Sequence, residues 1–324
     1  MSFWQGKTCL VTGATGFLGG ALVDKLIEQG AEVVALVRDM VPQSRFHSEG
    51  LDTKAKVVRG ALEDASLMTR VLNEYAVDTV FHLAAQAIVG VANRNPVSTF
   101  EANIEGTWVL LEACRQVSTV ERVIVASSDK AYGDHDTLPY EEHFELKGRH
   151  PYDVSKSCAD LIALSYAHTF DMPIAITRCG NLFGPADLNV NRIVPGMCLA
   201  AIDGTQPIIR SDGTPVRDYV YVEDIAHGYL LLGEQLHRED VAGEAFNFGT
   251  GEPISVLDLT KRIMKVAGRE DLVPIVQDQA SNEIDAQYLS SEKSKSLIGW
   301  APAANLDARL LDTFKWYKEH RDLF

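Results

Sequence analysis

The chain has 324 residues, 46% of them hydrophobic and 23% charged, and a formal net charge of −15. That length supports one large packed unit or two smaller ones, and the acidic balance argues against a surface built for nucleic acid. Five scattered cysteines (Cys9, Cys114, Cys158, Cys179, Cys198), never at zinc-ligand spacing, read as buried free thiols and leave no metal site.

No apolar run approaches the ~18 residues of a membrane span. The opening MSFWQGKTCLVTG carries no signal-peptide pattern and runs straight into a strand, so a cytoplasmic protein is expected. In chain order, KTCLVTG precedes a helix from about Leu18 to Gln29. EVVALVR, KAKVVRG and a helix around Asp64–Tyr75 follow, then TVFHLAA, a long helix over Thr99–Gln116, and RVIVASS. Apolar runs without period-2 alternation fit strands covered on both faces, and strand–helix alternation implies parallel βαβ units. The helix Asp153–Phe170 and the strand IAITRCG continue this doubly wound α/β pattern.

After Gly180 the texture changes. Pro185, Pro195, Pro207 and Pro215 cut the chain into short pieces, and SDGT at 211–214 reads as a turn. A helix near Ile225–Leu236 and the strand AFNFG return to the main sheet; two further helices and an amphipathic one, Leu306–Glu319, follow. The expected division is a dinucleotide-binding domain of residues 1–180 plus about 221–249, and a smaller α/β substrate-binding lobe of 181–220 and 250–324.

GATGFLG at 13–19 lies between a strand and a helix. Glycines there permit a tight turn and close approach of a pyrophosphate, which the N–H groups and dipole of the helix start favour. Gly13, Thr15, Gly16, Phe17 and Leu18 are therefore candidate cofactor contacts. At the end of the second strand, Val37-Arg38-Asp39 offers both an arginine for a 2′-phosphate and an acid for a ribose hydroxyl. Arg38 tips the expectation from NAD towards NADP.

HPYDVSKSCADLIA places Tyr152 and Lys156 four apart as a helix begins at Pro151. That spacing sets both side chains on one face, where an ammonium favours tyrosinate and readies the phenol to accept a proton. Ser128 lies some two dozen residues upstream, in SSDKAYG.

Taken together, these motifs resemble the extended short-chain dehydrogenases/reductases, in the branch of nucleotide-sugar epimerases and dehydratases. FHLAAQAIV at 81–89, FEANIEGTWVLLEAC at 100–114, TRCGNLFGP at 177–185 and GTPVRDYVYVEDIA at 213–226 carry the likeness through nearly the whole chain. Within the branch the chain is most similar to CDP-glucose 4,6-dehydratases, because Asp129-Lys130 follows Ser128. GDP-mannose-type dehydratases and sugar 4-epimerases or reductases of the same fold are the alternatives.

The resemblance implies a reaction. Tyr152 takes the proton of the sugar 4-hydroxyl while a hydride leaves carbon 4 for the nicotinamide. Lys130 then removes the proton on carbon 5, Asp129 protonates the departing 6-hydroxyl, and hydride returns to carbon 6. A lysine base has to be neutral; the adjacent carboxyl opposes that unless itself protonated, so the two titrate as a coupled unit.

By the same likeness Leu62, Leu83, Ala84, Asn103 and Lys156 serve the cofactor, with Asn103 bracing backbone near the site. Gln86, Asn181, Arg192 and Arg217 serve the substrate, the arginines at its diphosphate. Two departures stand out. Ala61 replaces an acid that relatives use for adenine, and Ala286-Gln287 falls where many carry a further phosphate-binding arginine. His82, on a buried strand, reads as structural. A homodimer through a four-helix bundle, formed by the helices Thr99–Gln116 and Asp153–Phe170, is also implied.

Overall fold

Neighbouring strand residues point to opposite faces of one sheet. Leu10, Val34, Val80 and Val123 join one apolar layer, whereas Val11, Val33, Phe81 and Ile124 join the other. A strand buried on both faces needs apolar residues at every position, which explains the missing alternation in the sequence. The computed structural model describes residues 2–279, 284–302 and 305–324.

The strands are β1 (Thr8–Thr12), β2 (Glu32–Val37), β3 (Lys56–Arg59), β4 (Thr79–His82), β5 (Arg122–Ala126), β6 (Ile174–Cys179) and a last strand, Glu244–Phe248. Their order across the seven-stranded sheet is Glu244–Phe248, β6, β5, β4, β1, β2, β3, and every pairing is parallel. Helices Phe17–Glu28 and Val222–Gln235 cover one face, and Ala65–Glu74, Gly106–Gln116 and Pro151–Phe170 the other. This is the doubly wound Rossmann arrangement. The order reverses between β1 and β4, and ligands of such sheets bind in the crevice at that switch point.

The long helix expected over Thr99–Gln116 is present, but it is not α-helical throughout. A turn at Pro96–Phe100 passes into a π-helical segment, Glu101–Glu105, before the regular helix Gly106–Gln116. Asn103 sits in the widened turn, where its side chain reaches away from the helix and Thr107 Oγ1 donates to its carbonyl at 2.6 Å. Widened turns of this kind are often sited beside functional groups.

A separate apolar cluster forms beyond the sheet, with Phe183, Val194, Met197, Tyr221, Leu259, Ile263, Leu310 and Tyr317 among its members. Here strand Val216–Arg217 lies between Ile254–Ser255, antiparallel to it, and Ala286–Gln287, parallel to it. The SDGT turn is held by Asp212 Oδ1, which accepts from the Thr214 N–H at 2.9 Å and hydroxyl at 2.8 Å. All five cysteines are free, and all but Cys158 are buried. Among the described residues no helix is long and apolar enough to cross a membrane.

Candidate active site

The glycine loop follows β1 at the switch point, and its glycines are sterically required. Gly13 has φ +76°, and a Cβ there would stand 2.8 Å from the Ala84 backbone nitrogen. At Gly19 a Cβ would stand 2.0 Å from the Gly13 carbonyl oxygen. Only bare backbone lets loop, helix start and β4 pack this closely.

Above the loop runs one cleft of about 680 Å³. Gly13, Thr15, Gly16, Phe17 and Leu18 line it, with Arg38, Asp39 and Leu62 on one side and Leu83 and Ala84 beneath. Ser128, Asp129, Lys130, Tyr152, Lys156, Asn181 and Arg192 line it further along. The glycine cradle and the apolar Leu62 wall fit a dinucleotide, since a pyrophosphate needs close backbone approach and an adenine an apolar slot.

β5 ends at Ala126 and delivers SSDKAYG to the wall. Ser128 Oγ accepts from the Lys130 N–H at 3.2 Å, capping the short 3₁₀ turn Asp129–Tyr132, and donates to Asp129 Oδ1 at 3.1 Å. Asp129 is only 3% exposed. Lys130 Nζ donates to Asp129 Oδ2 at 3.4 Å and to Gln287 Oε1 at 2.6 Å. An acid and an amine stand together inside the cleft rather than in a surface loop.

Tyr152 and Lys156 occupy the first turns of the helix that starts at Pro151. The phenol and the Ser128 hydroxyl both line the cleft. The expectation that Lys156 eases its ionisation is not met: burial dominates and pushes the phenol up to about 12, against the opposing pull of the Ser128 hydroxyl and of Arg192. The Lys156 ammonium is directed elsewhere, donating to the Ala126 carbonyl at 2.8 Å. Its own burial depresses it from the ordinary 10.5 to about 8.

That depression has a sign. A lysine whose folded value lies below its unfolded one stabilises the fold at high pH, and the benefit is lost as pH falls from 10.5 towards 8. At neutral pH the buried charge therefore works against the fold. Lys156→Met should raise stability at pH 7 by about 1–3 kcal/mol, the lost hydrogen bond to Ala126 offsetting part of the gain. Urea denaturation at pH 7 checks this; a destabilised variant would contradict it.

Three expected contacts do not reach the cleft wall. Asn103 braces instead: its Oδ1 accepts from the Gln86 N–H at 2.6 Å, and its amide donates to Ser155 Oγ at 2.9 Å and the Gln86 carbonyl at 3.2 Å. Gln86 turns its side chain back to accept from the Ile88 N–H at 3.1 Å. Arg217 is 7% exposed, its guanidinium donating to the carbonyls of Val216 at 2.8 Å and Asp285 at 3.4 Å. Carbonyls of its own strand and of the residue before Ala286–Gln287 hold that cation.

Arg192 does line the cleft, held by Asp187 at 3.0 Å. His82 is a satisfied core residue, Nδ1 with Thr12 Oγ1 and Nε2 with Thr107 Oγ1, both at 2.9 Å, and burial depresses it to about 3. Sequence reading missed Gln287, the partner of Lys130, and Cys179 and Tyr229, which also line the cleft. Cys179 lies within TRCGNLFGP and Gln287 stands out in the sequence only for the arginine it replaces, so neither carries a role of its own there; no motif marks Tyr229.

A glycine-lined switch point that opens onto a Ser–Tyr–Lys group in one cleft defines a dinucleotide-dependent enzyme. More narrowly, the chain belongs to the NAD dependent epimerase/dehydratase family, whose model matches residues 9–249, and so to the extended short-chain dehydrogenases/reductases. It is 30% identical to CDP-glucose 4,6-dehydratase of Salmonella typhimurium, over 98% of this chain and 92% of that protein. It is 28% identical to a trifunctional UDP-glucose 4,6-dehydratase/UDP-4-keto-6-deoxy-D-glucose 3,5-epimerase/UDP-4-keto-L-rhamnose-reductase of Arabidopsis thaliana, over 99% of this chain. The chain spans about half, 48%, of that plant protein. Among solved structures, UDP-glucose 4-epimerase of Thermotoga maritima, crystallised with UDP-glucose, is similar with a TM-score of 0.88 and 30% identity, covering 96% of this chain and 99% of that one.

Proposed function

We propose that the chain is a nucleotide-sugar 4,6-dehydratase, a hydro-lyase that converts CDP-glucose to its 4-keto-6-deoxy product. The observation that carries this reading is the Asp129–Lys130 pair at the cleft wall, its carboxyl buried, in the same cleft as Ser128 and Tyr152. When bound along the glycine loop, the dinucleotide supplies a reversible hydride acceptor.

The residues then divide the proton work. Tyr152 would accept the proton of the sugar 4-hydroxyl only as its phenolate, which the positive charge of an oxidised nicotinamide would favour against the burial that keeps the phenol protonated. Lys130 removes the proton on carbon 5, which the 4-ketone acidifies, and Asp129 gives a proton to the departing 6-hydroxyl. Arg192 and Asn181 both line the cleft, and they would serve the diphosphate and the hexose respectively. Arg217 would join Arg192 only by releasing the Val216 and Asp285 carbonyls. Residues 1–180 with about 221–249 would hold the cofactor, and 181–220 with 250–324 the sugar nucleotide.

A 4-epimerase is the second reading, favoured by the likeness to the Thermotoga enzyme. Incubation with a panel of CDP-, GDP-, dTDP- and UDP-hexoses followed by mass spectrometry separates them. Loss of one water from the CDP-hexose supports the proposal, and an unchanged mass with an inverted centre supports epimerisation.

For the cofactor, NAD is the better reading, against the expectation of NADP raised by Arg38. Arg38 Nε is bound to Asp39 Oδ2 at 2.7 Å, and both residues line the cleft. A 2′-phosphate would meet the Asp39 carboxylate as well as the arginine, and the family is described as NAD dependent. NAD should therefore bind at least about tenfold more tightly than NADP, roughly 1.4 kcal/mol. Thermal-shift titrations with both dinucleotides check it; tighter NADP binding would reinstate the opposite choice.

The exposed apolar side chains Trp108, Leu161 and Phe170, on helices Gly106–Gln116 and Pro151–Phe170, support a homodimer formed through those helices.

A further inference from the structure

We infer that Gln287 is a positioning residue for the Lys130 amine, fixing where its lone pair points. The inference rests on the reading of Asp129–Lys130 as the elimination pair, and adds a member from the far end of the chain.

Gln287 is 1% exposed, and its Oε1 accepts from Lys130 Nζ at 2.6 Å, shorter than the 3.4 Å contact from the same nitrogen to Asp129. A neutral amine has two N–H bonds and one lone pair. Two acceptors, Gln287 Oε1 and Asp129 Oδ2, occupy both N–H bonds and leave the lone pair a single direction. A base that must meet one C–H bond gains from that constraint, because a misplacement near 1 Å costs as much as ~100-fold in rate.

The acceptor is itself held. Strand Ala286–Gln287 pairs with Val216–Arg217, Gln287 opposite Arg217. The next residues clasp Tyr140, whose N–H donates to the Tyr288 carbonyl and whose carbonyl accepts from the Ser290 N–H, both at 2.9 Å. The Tyr140 hydroxyl donates at 2.7 Å to the carbonyl of Gly133, three residues after Lys130. The segment that carries the amine and the segment that carries its acceptor are thus tied together on either side of the bond.

Residue type matters too. A guanidinium or ammonium at 287 has no acceptor and would repel Lys130. A carboxylate would hold the amine but favour its charged, inactive form. A neutral carboxamide orients without charging. Lys130 already faces two carboxyl groups, Asp129 and Asp153.

The test uses the full chain, the sugar nucleotide that the panel shows to be dehydrated, and the variants Gln287→Met and Gln287→Glu. Gln287→Met should lower kcat for water loss roughly 10–100-fold, with KM within about twofold. In single turnovers the reduced-cofactor absorbance should still rise, then decay slowly. Gln287→Glu should be slow at neutral pH and recover as pH rises, the acid limb of its kcat profile lying above that of the parent. Being isosteric, it keeps the idea testable if the methionine variant folds poorly. Wild-type kcat in Gln287→Met, or a Gln287→Glu profile superimposable on the parent, would overturn the inference while leaving the dehydratase reading intact. A parent protein that releases water from no sugar nucleotide would sink both.

Discussion

Lys130→Met is expected to lower water loss by about 10²–10⁴-fold, the contribution of a positioned proton-transfer group, while hydride removal from carbon 4 survives. The two half-reactions depend on different side chains. On the dehydratase reading, oxidation draws on Tyr152 and Ser128, which line the cleft with Lys130. Elimination needs a base at carbon 5, and methionine fills similar space with no basic atom. The substitution strands Gln287 Oε1 without its donor, which costs about 1–3 kcal/mol, tolerable for a chain of this size. A single turnover should therefore leave the cofactor reduced and the sugar as its 4-keto form, with no mass loss of water. The 4-epimerase reading demands the opposite, because inversion at carbon 4 has no use for an amine over carbon 5. Undiminished water loss in Lys130→Met would remove Lys130 from the mechanism.

The parts of the site that sequence revealed are those built from neighbours in the chain. GATGFLG states its own turn, helix start and close packing, and Gly13 and Gly19 have no room for a side chain. Tyr152 and Lys156 share a helix face by spacing alone, and SSDKAYG carries its acid and amine side by side. What spacing could not supply is the outcome of competition among distant groups. Lys156 was near enough to Tyr152 to suggest an eased phenol, but the Ala126 carbonyl claims the ammonium and burial decides the phenol's acidity. Arg217 carries the right charge, but its guanidinium is bound to the carbonyls of Val216 and Asp285 and does not line the cleft. Asn103 lies in a segment with ordinary helical composition, which signals neither the π turn nor the bonds that its side chain makes from it to Gln86 and Ser155. Gln287 is 157 positions from the lysine it holds, a pairing made by tertiary folding alone.

Asp160→Ala should destabilise the protein by about 3–5 kcal/mol, the usual result of leaving one member of a buried ion pair alone. Asp160 is fully buried and accepts two hydrogen bonds from Arg178, Nε to Oδ2 at 2.8 Å and Nη2 to Oδ1 at 2.9 Å. Arginine stays charged, and its carboxylate partner holds it more firmly so. Without Asp160 that cation keeps only neutral acceptors, the Tyr132 hydroxyl and the Glu142 carbonyl, each 2.9 Å from Nη1. Those two contacts tie the pair to the active site, since Tyr132 closes the turn that carries Asp129 and Lys130, and also donates to Asn247 at 2.8 Å. Asp160→Ala should thus slow turnover as well as shift the urea midpoint. Asp160→Leu combined with Arg178→Met removes both charges and should recover most of the lost stability, because apolar replacements of a buried pair are often neutral. Turnover should recover less, as Tyr132 would still lack its donor. If the double variant is no more stable than Asp160→Ala, the uncompensated charge is not what the single substitution exposes, and the pair serves chiefly as a hydrogen-bonded brace for the segment after β5.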